Sequence, residues 1–187
     1  MKIFMHICCG PCTAYPLEFL RDEGHEVSGF FFNPNIHPFR EFKKRLASTD
    51  LFAARMGFKI ESVREYGLKE YLRQVVFNEE KRCDLCYEMR LLVVAQKAKE
   101  VGADAFTTTL LYSRYQKHER ICAIAERLAA DHGIPFYYQD FRRGWQQGID
   151  MAIEMDLYRQ PYCGCIYSEQ ERYDKKLRRA AGKVMNK

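Results

Sequence analysis

The run Ile3-Phe4-Met5-His6-Ile7 leads without a break into Cys8-Cys9-Gly10-Pro11-Cys12. The first part is β-prone or apolar, and a proline between the last two cysteines suits the first turn of a helix. A strand therefore hands over to a helix across a loop that carries thiols. In an open α/β sheet the crevice at the carboxyl ends of the strands is where ligands bind, and the N–H groups of a helix N-terminus favour thiolate over thiol. A second C-x2-C pair, Cys83-Asp84-Leu85-Cys86, adds more sulfur than the first loop could supply alone. Two distant thiol groups suggest one shared metal centre.

The rest of the chain alternates helix and strand. A short helix over residues 16–24 precedes a buried strand at 26–32, an order that implies a parallel crossover. Pro34 and Pro38 break that strand, so the loop at 33–38 opens on the same sheet edge as the cysteine loop. A helix follows over 39–56, with Leu46, Leu51, Phe52 and Met56 inward and Gly57 as its stop. The pattern continues with a strand at 58–66, a helix at 68–77 carrying Tyr71, Leu72 and Val75 inward, and a helix at 83–101 with the CDLC pair in or just before its first turn. A threonine-rich strand at 104–110 ends in a loop with Tyr112, Ser113, Arg114, Tyr115 and Gln116. Then come a helix at 117–132, a fifth strand at 134–141, a helix at 142–157, a loop around 161–165 and a polar helix from 168 onward. The fold expected is α/β: one domain over residues 1–187, built on an open, mostly parallel sheet of about five strands with helices on both faces and a C-terminal helical segment.

Composition limits the chemistry. Eight cysteines could staple a secreted domain, but 187 residues with helical periodicity need no staples. Their clustering as CCGPC, CDLC and CGC reads as metal or redox chemistry in a reducing cytosol. No apolar run approaches the ~20 residues that span a bilayer, and no h-region precedes the first strand, so a cytoplasmic protein without membrane attachment is expected. The net charge of +5 permits binding to phosphate without demonstrating it.

On spacing alone, Cys9 and Cys12 with Cys83 and Cys86 make a four-thiolate set suited to zinc or an iron–sulfur cluster. Among Cys8, Cys9, Cys12, Cys83 and Cys86 one thiol is then left over. Asp84 reads either as an oxygen ligand to an additional metal or as a helix-entry cap. Cys163 and Cys165, separated by one glycine, can bridge only through a strained turn, and strained bridges tend to be redox-active; two free thiols or further metal ligands are the other readings. Cys122, flanked by Ile121, Ile124 and Ala125, reads as core.

Taken together these landmarks resemble the QueH family of epoxyqueuosine reductases. The resemblance is carried by His6-Ile7-Cys8-Cys9-Gly10-Pro11-Cys12, by Asn33-Pro34-Asn35-Ile36-His37-Pro38, by Arg82-Cys83-Asp84-Leu85-Cys86-Tyr87 with Arg90, and by Thr107-Thr108-Thr109-Leu110-Leu111 with Tyr115-Gln116 and His118. Leu157-Tyr158-Arg159-Gln160-Pro161-Tyr162-Cys163-Gly164-Cys165 with Tyr167-Ser168 completes it. What the resemblance implies is a fold like the adenine nucleotide α-hydrolases (HUP-like) and a 4Fe–4S cluster. It further implies reduction of an epoxide at the tRNA wobble position, the last step of queuosine biosynthesis. It maps the cluster ligands to Cys8, Cys9, Cys83 and Cys86, which leaves Cys12 free for other work, and it maps a redox-active disulfide to Cys163 and Cys165; Cys12 and Asp84 are then candidate ligands for an additional iron ion.

The partners expected are a tRNA carrying epoxyqueuosine and an electron donor protein or other reductant. Arg40, Lys43, Lys44, Arg45, Arg114, Lys117 and Arg120 are candidates for a basic rim, with Arg142, Arg143 and the tail residues Lys175, Lys176, Arg178 and Arg179 beyond it. Tyr87, Tyr115 and Trp145 are candidates to stack on bases. His6, His37, Tyr112 and Tyr115 are candidate proton donors. Two rivals stand beside this reading: an ATP-dependent tRNA-modifying enzyme, which would want a glycine- and serine-rich first loop, and a non-catalytic zinc module that binds RNA.

Overall fold

The structure, a computed structural model, describes residues 1–175. Its sheet contains β1 (Lys2–His6), β2 (Glu26–Phe31), β3 (Ile60–Ser62) and β4 (Ala105–Thr108), all parallel, in the order β3-β2-β1-β4. Helices α1 (Gly10–Asp22) and α2 (Phe39–Met56) carry the chain outward from β1 to β3. Then α3 (Leu68–Val75) and α4 (Arg82–Glu100) return it to the far side of β1. Right-handed crossovers in opposite directions put their helices on opposite faces. Accordingly α1 packs on α2 and on α6 (Trp145–Glu154), whereas α4 packs on α5 (His118–His132).

Because β1 is central and covered on both faces, it reads as a continuous apolar run rather than an alternating one. Ile3, Phe4 and Met5 are buried, as are Phe30, Phe31, Leu91, Val94 and Phe106 around them. Reversal of direction at β1 creates a switch point between β1 and β4, and the cysteine loop and the turn at Thr109–Tyr112 both leave from it. Gly10 permits the tight start of α1, since a Cβ there would lie 2.7 Å from the Ser48 carbonyl oxygen of α2.

Several expected boundaries move for identifiable reasons. Helix α1 begins at Gly10 and runs through Pro16, so Cys9 is its N-cap and Cys12 lies in its first turn. The fifth strand reduces to a single bridge between Phe136 and Phe106, beside a proline that has no N–H to give a ladder. The helix expected over 142–157 splits into a 3-10 turn at Phe141–Gly144 followed by α6. Leu51 is 39% exposed, off the stripe formed by Phe42, Leu46, Thr49 and Phe52. The terminal helix α7 spans Ile166–Tyr173, and Lys176, Arg178 and Arg179 lie outside the described residues.

Candidate functional site

The thiol loop is anchored from several sides. The backbone N–H of Ile7 donates to the Phe30 carbonyl (2.8 Å), and Asn33 Nδ2 donates to the Ile7 carbonyl (2.8 Å). Cys8 N–H donates to Thr109 Oγ1 (3.0 Å), and Thr13 Oγ1 donates to the Cys9 carbonyl (2.7 Å). With the backbone held this way, the Sγ atoms of Cys8, Cys9 and Cys12 lie within 4.8 Å of one another. Hydrogen bonds to Cys12 and Cys9 hold the Cys8 thiol well below its ordinary pKa, while burial pushes Cys9 up and the bond with Cys8 pushes Cys12 up. Three sulfur atoms this close together are a soft donor set that suits a thiophilic metal.

Cys83 and Cys86 open α4 and are not part of that three-sulfur group. Burial pushes the Cys86 thiol up to about 12, and Cys86 packs with Tyr71, Val75 and Cys165 in a small buried cluster of its own. All eight cysteines are free thiols here, including Cys163, which is exposed, and Cys165, which is buried. Cys165 caps α7 by accepting the Ser168 N–H (3.4 Å) on its Sγ. Cys122 is partly buried against the core, as its flanks suggested.

What holds the loop bearing Cys163 and Cys165 was not legible beforehand. Arg45, expected on a basic rim, is instead 2% exposed. Its Nε pairs with Glu41 Oε1 at 2.7 Å, and its Nη1 and Nη2 donate to the carbonyls of Cys163 (2.7 Å) and Tyr162 (2.8 Å). Tyr158 Oη donates to the other Glu41 oxygen at 2.6 Å. Gly164 sits at φ +152° with its carbonyl accepting from His37 N–H (2.8 Å), and a Cβ there would meet Asn35 Nδ2 at 2.9 Å. Only glycine fits between the two cysteines.

Two glutamines tie the thiol segments together. Gln160 Nε2 donates to Cys9 Sγ (3.0 Å) and Cys12 Sγ (3.3 Å). Gln116 Nε2 donates to Cys163 Sγ (3.0 Å), and its own Oε1 accepts from Tyr87 Oη (2.8 Å). Tyr87, expected to stack on bases, is 2% exposed and serves instead to orient Gln116. Amide side chains carry no spacing signal, so sequence reasoning had no means of pairing them with sulfur.

These groups face one cavity of about 770 Å³, lined by Cys8, Cys12, Arg90, Gln160, Cys163 and an aromatic wall of Tyr112, Tyr115 and Trp145. That size suits a nucleoside-scale ligand. Tyr112 stacks on Trp145 with centroids 5.2 Å apart, Tyr115 meets the same indole edge-on, and the Arg114 guanidinium lies 5.6 Å from its centroid. Tyr115 is 84% exposed at the mouth. Arg40, Lys43, Lys44, Lys117 and Arg143 are exposed, whereas Arg142 is paired with Asp140. Asp84 takes both its carboxylate contacts from Arg120 Nη1 (3.0 and 2.7 Å).

Two of the candidate proton donors, His6 and His37, are buried. His6 is fully buried, its ring nitrogens 3.0 Å from Thr108 Oγ1 and 3.2 Å from the Phe32 carbonyl, and burial first, then the Arg90 charge, hold its pKa near 3. His37 is 1% exposed against Tyr66 and Tyr71, and burial lowers its pKa to about 4. The unfolded chain binds a proton at His37 near pH 6.5 that the folded chain refuses until about pH 4. Stability from this group is thus full above pH 6.5 and falls by ~3 kcal/mol as the pH drops to about 4. Urea midpoints measured between pH 7 and pH 4.5 should show a slope shallower by up to one proton in His37→Gln; an unchanged slope would contradict this.

Comparison with known proteins decides the family. The family model for epoxyqueuosine reductase QueH matches residues 3–171. The chain belongs to the QueH family. It is 40% identical over 174 residues to an epoxyqueuosine reductase QueH from Dehalococcoides mccartyi, covering 93% of this chain and 96% of that one. A Thermotoga maritima QueH is 32% identical, with 92% and 93% covered, and a Streptococcus pyogenes QueH is 34% identical, with 89% and 70% covered. As a QueH protein, the chain is an oxidoreductase. The fold alone is shared with a solved structure described as a predicted subunit of tRNA methyltransferase from Methanocaldococcus jannaschii (TM-score 0.54, 13% identity, 82% and 76% covered). Among the described residues no helix is long and apolar enough to cross a membrane.

Proposed function

We propose that this QueH protein reduces epoxyqueuosine to queuosine at the wobble position of tRNA in the cytoplasm, with Cys8, Cys9, Cys83 and Cys86 holding a 4Fe–4S cluster and Cys163 with Cys165 forming a redox-active dithiol. The observation that carries the reading is the meeting of Cys8, Cys12, Arg90 and Cys163, drawn from three separate chain segments, on one cavity. Of the four proposed ligands, Cys8 and Cys9 stand in the group of three sulfur atoms within 4.8 Å of one another, and Cys83 and Cys86 open α4, the helix whose buried Arg90 lines the cavity with Cys8. When bound, the cluster supplies electrons one at a time at the cavity wall. In this reading Cys12 and Asp84 are the candidates to bind an additional iron ion; Asp84 is paired with Arg120 here and stands outside the three-sulfur group.

Opening an epoxide to an alkene consumes two electrons and two protons and releases water. Closing the Cys163–Cys165 dithiol to a disulfide releases two electrons and two protons, so the two half-reactions balance, and an external reductant must then reopen the bridge. Cys163 lines the cavity with Gln116 on its sulfur, while Cys165 is buried against Cys86, so only one sulfur of the pair meets the substrate side. Trp145 and Tyr115 offer stacking faces to an unpaired base, and Arg114 a cation to its phosphate. His6 and Tyr112 hold structure and not protons, since both His6 nitrogens are engaged and Tyr112 Oη donates to the Trp145 carbonyl (2.8 Å).

The test is anaerobic turnover with a chemical reductant on tRNA carrying epoxyqueuosine. Iron-loaded wild type should yield queuosine, and Cys163→Ser or Cys165→Ser should keep their iron, sulfide and cluster absorbance while turnover stops. An iron-loaded chain that makes no queuosine would refute the activity, and unaffected turnover in the serine variants would remove the dithiol from it.

A further inference from the structure

Among the described residues two arginines are buried completely enough to be compared, and they differ in one respect. Arg45 meets a carboxylate and two carbonyls. Arg90 is equally buried at 2% exposure, yet its Nε donates only to the Cys86 carbonyl (3.1 Å), one turn back on α4, and its Nη2 is buried with no hydrogen-bond partner. The Tyr87 ring lies 5.8 Å from its guanidinium carbon. Among the described residues no carboxylate forms an ion pair with it.

A guanidinium does not lose its proton in a protein, and an uncompensated buried cation is costly. Something must therefore supply negative charge where Arg90 sits. Burial alone would work against the charged form, but Cys86, Cys163 and Cys8, in that order, favour it and outweigh burial. Those sulfurs belong to the three segments that meet at the cavity, which Arg90 also lines. Among the described residues the other buried cation, Arg45, is spent on Glu41 and two carbonyls, Arg114 and Arg159 are exposed, and Arg120 is committed to Asp84.

We propose that Arg90 is a positioning residue for the thiol-bound centre: its fixed charge balances the negative charge carried by sulfur on the ligands Cys8 and Cys86, with Cys163 beside them, and it raises the reduction potential of the group that Cys8 and Cys86 hold. The inference rests on the cluster reading above. A centre ligated by thiolates is anionic, and a further electron enters it more easily beside a fixed cation. The orphaned Nη2 and the absence of a carboxylate are then consequences of the design, because a carboxylate partner would cancel the charge that the centre uses.

The experiment uses the full chain purified anaerobically, as wild type, Arg90→Gln and Arg90→Lys, with iron and sulfide assayed per chain and the midpoint potential read by redox titration followed spectroscopically. Arg90→Gln should bind less iron and sulfide and titrate at a more negative potential, and Arg90→Lys, which keeps the charge, should return both toward wild type. Unchanged loading and potential in Arg90→Gln would overturn the proposal, as would equal losses in Gln and Lys. Should Arg90→Gln fail to fold, Arg90→Met, which keeps the volume without the charge, is compared with wild type by urea unfolding in metal-free and loaded forms. A larger loss in the loaded form supports the proposal, and equal losses overturn it. A wild type that holds no iron or sulfide would sink the cluster reading and this inference with it; a loaded wild type with an unmoved Arg90→Gln sinks the inference alone.

Discussion

Arg45→Ala should lower the free energy of unfolding by ~3–5 kcal/mol, the cost of breaking a buried ion pair from one side. The substitution leaves Glu41, whose side chain is 7% exposed, with Tyr158 as its remaining partner, and it orphans the carbonyls of Tyr162 and Cys163. Against a total stability of ~5–15 kcal/mol for a domain, that loss is large. An arginine on a solvated rim would cost within about 0.5 kcal/mol, so urea unfolding separates the two roles without ambiguity. A loss below about 1 kcal/mol would contradict the clamp. The double variant Glu41→Gln with Arg45→Met should recover part of the loss, since no charge is then stranded.

The functional consequence of that clamp is positional. Arg45 lies on α2, and the two carbonyls it holds, of Tyr162 and Cys163, immediately precede Gly164, a position that only a residue without a side chain fits. Without it the loop loses two of its ties and keeps the one from His37 N–H to the Gly164 carbonyl, so Cys163 is held less firmly where it meets the Gln116 amide. Activity should therefore fall further than stability alone explains in conditions where the variant is still folded.

How much of this was legible from the residues depends on how local the cause was. The opening strand and the thiol loop are set by neighbours in the chain, so β1 and Pro11 in the first turn of a helix emerge from the sequence directly, whereas the start of α1 at Gly10, six residues before the expected helix, does not. The parallel alternation and the long helices α2 and α4 follow for the same reason, from hydrophobic spacing. What was not legible is what a partner far along the chain decides. Arg45 and Cys163 are 118 positions apart, and Gln160 and Cys9 are 151 apart. A basic run on a helix looks alike whether its members face water or a buried carboxylate, which is why Arg45 reads with Arg40, Lys43 and Lys44. Tyr87 failed in the same way, because an aromatic beside a cysteine pair gives no sign that its hydroxyl is spent on a glutamine. The fifth strand shrank because Pro135 cannot pair on the side the ladder required, a cue present in the sequence but outweighed by the apolar run around it.

The second large effect concerns the sulfurs themselves. Cys8, Cys9 and Cys12 form one tight group, and Cys83 and Cys86 open α4, whose Arg90 lines the cavity with Cys8 and Cys12 and acts on sulfur from both regions. If the two regions serve one centre, removing a ligand from either should empty it, whereas two independent sites would each survive loss of the other. The measurement is iron and acid-labile sulfide per chain in anaerobically purified Cys8→Ser and Cys83→Ser, with folding verified by circular dichroism. The account predicts that both variants lose iron and sulfide together while remaining folded. Full wild-type iron and sulfide in either variant would contradict it.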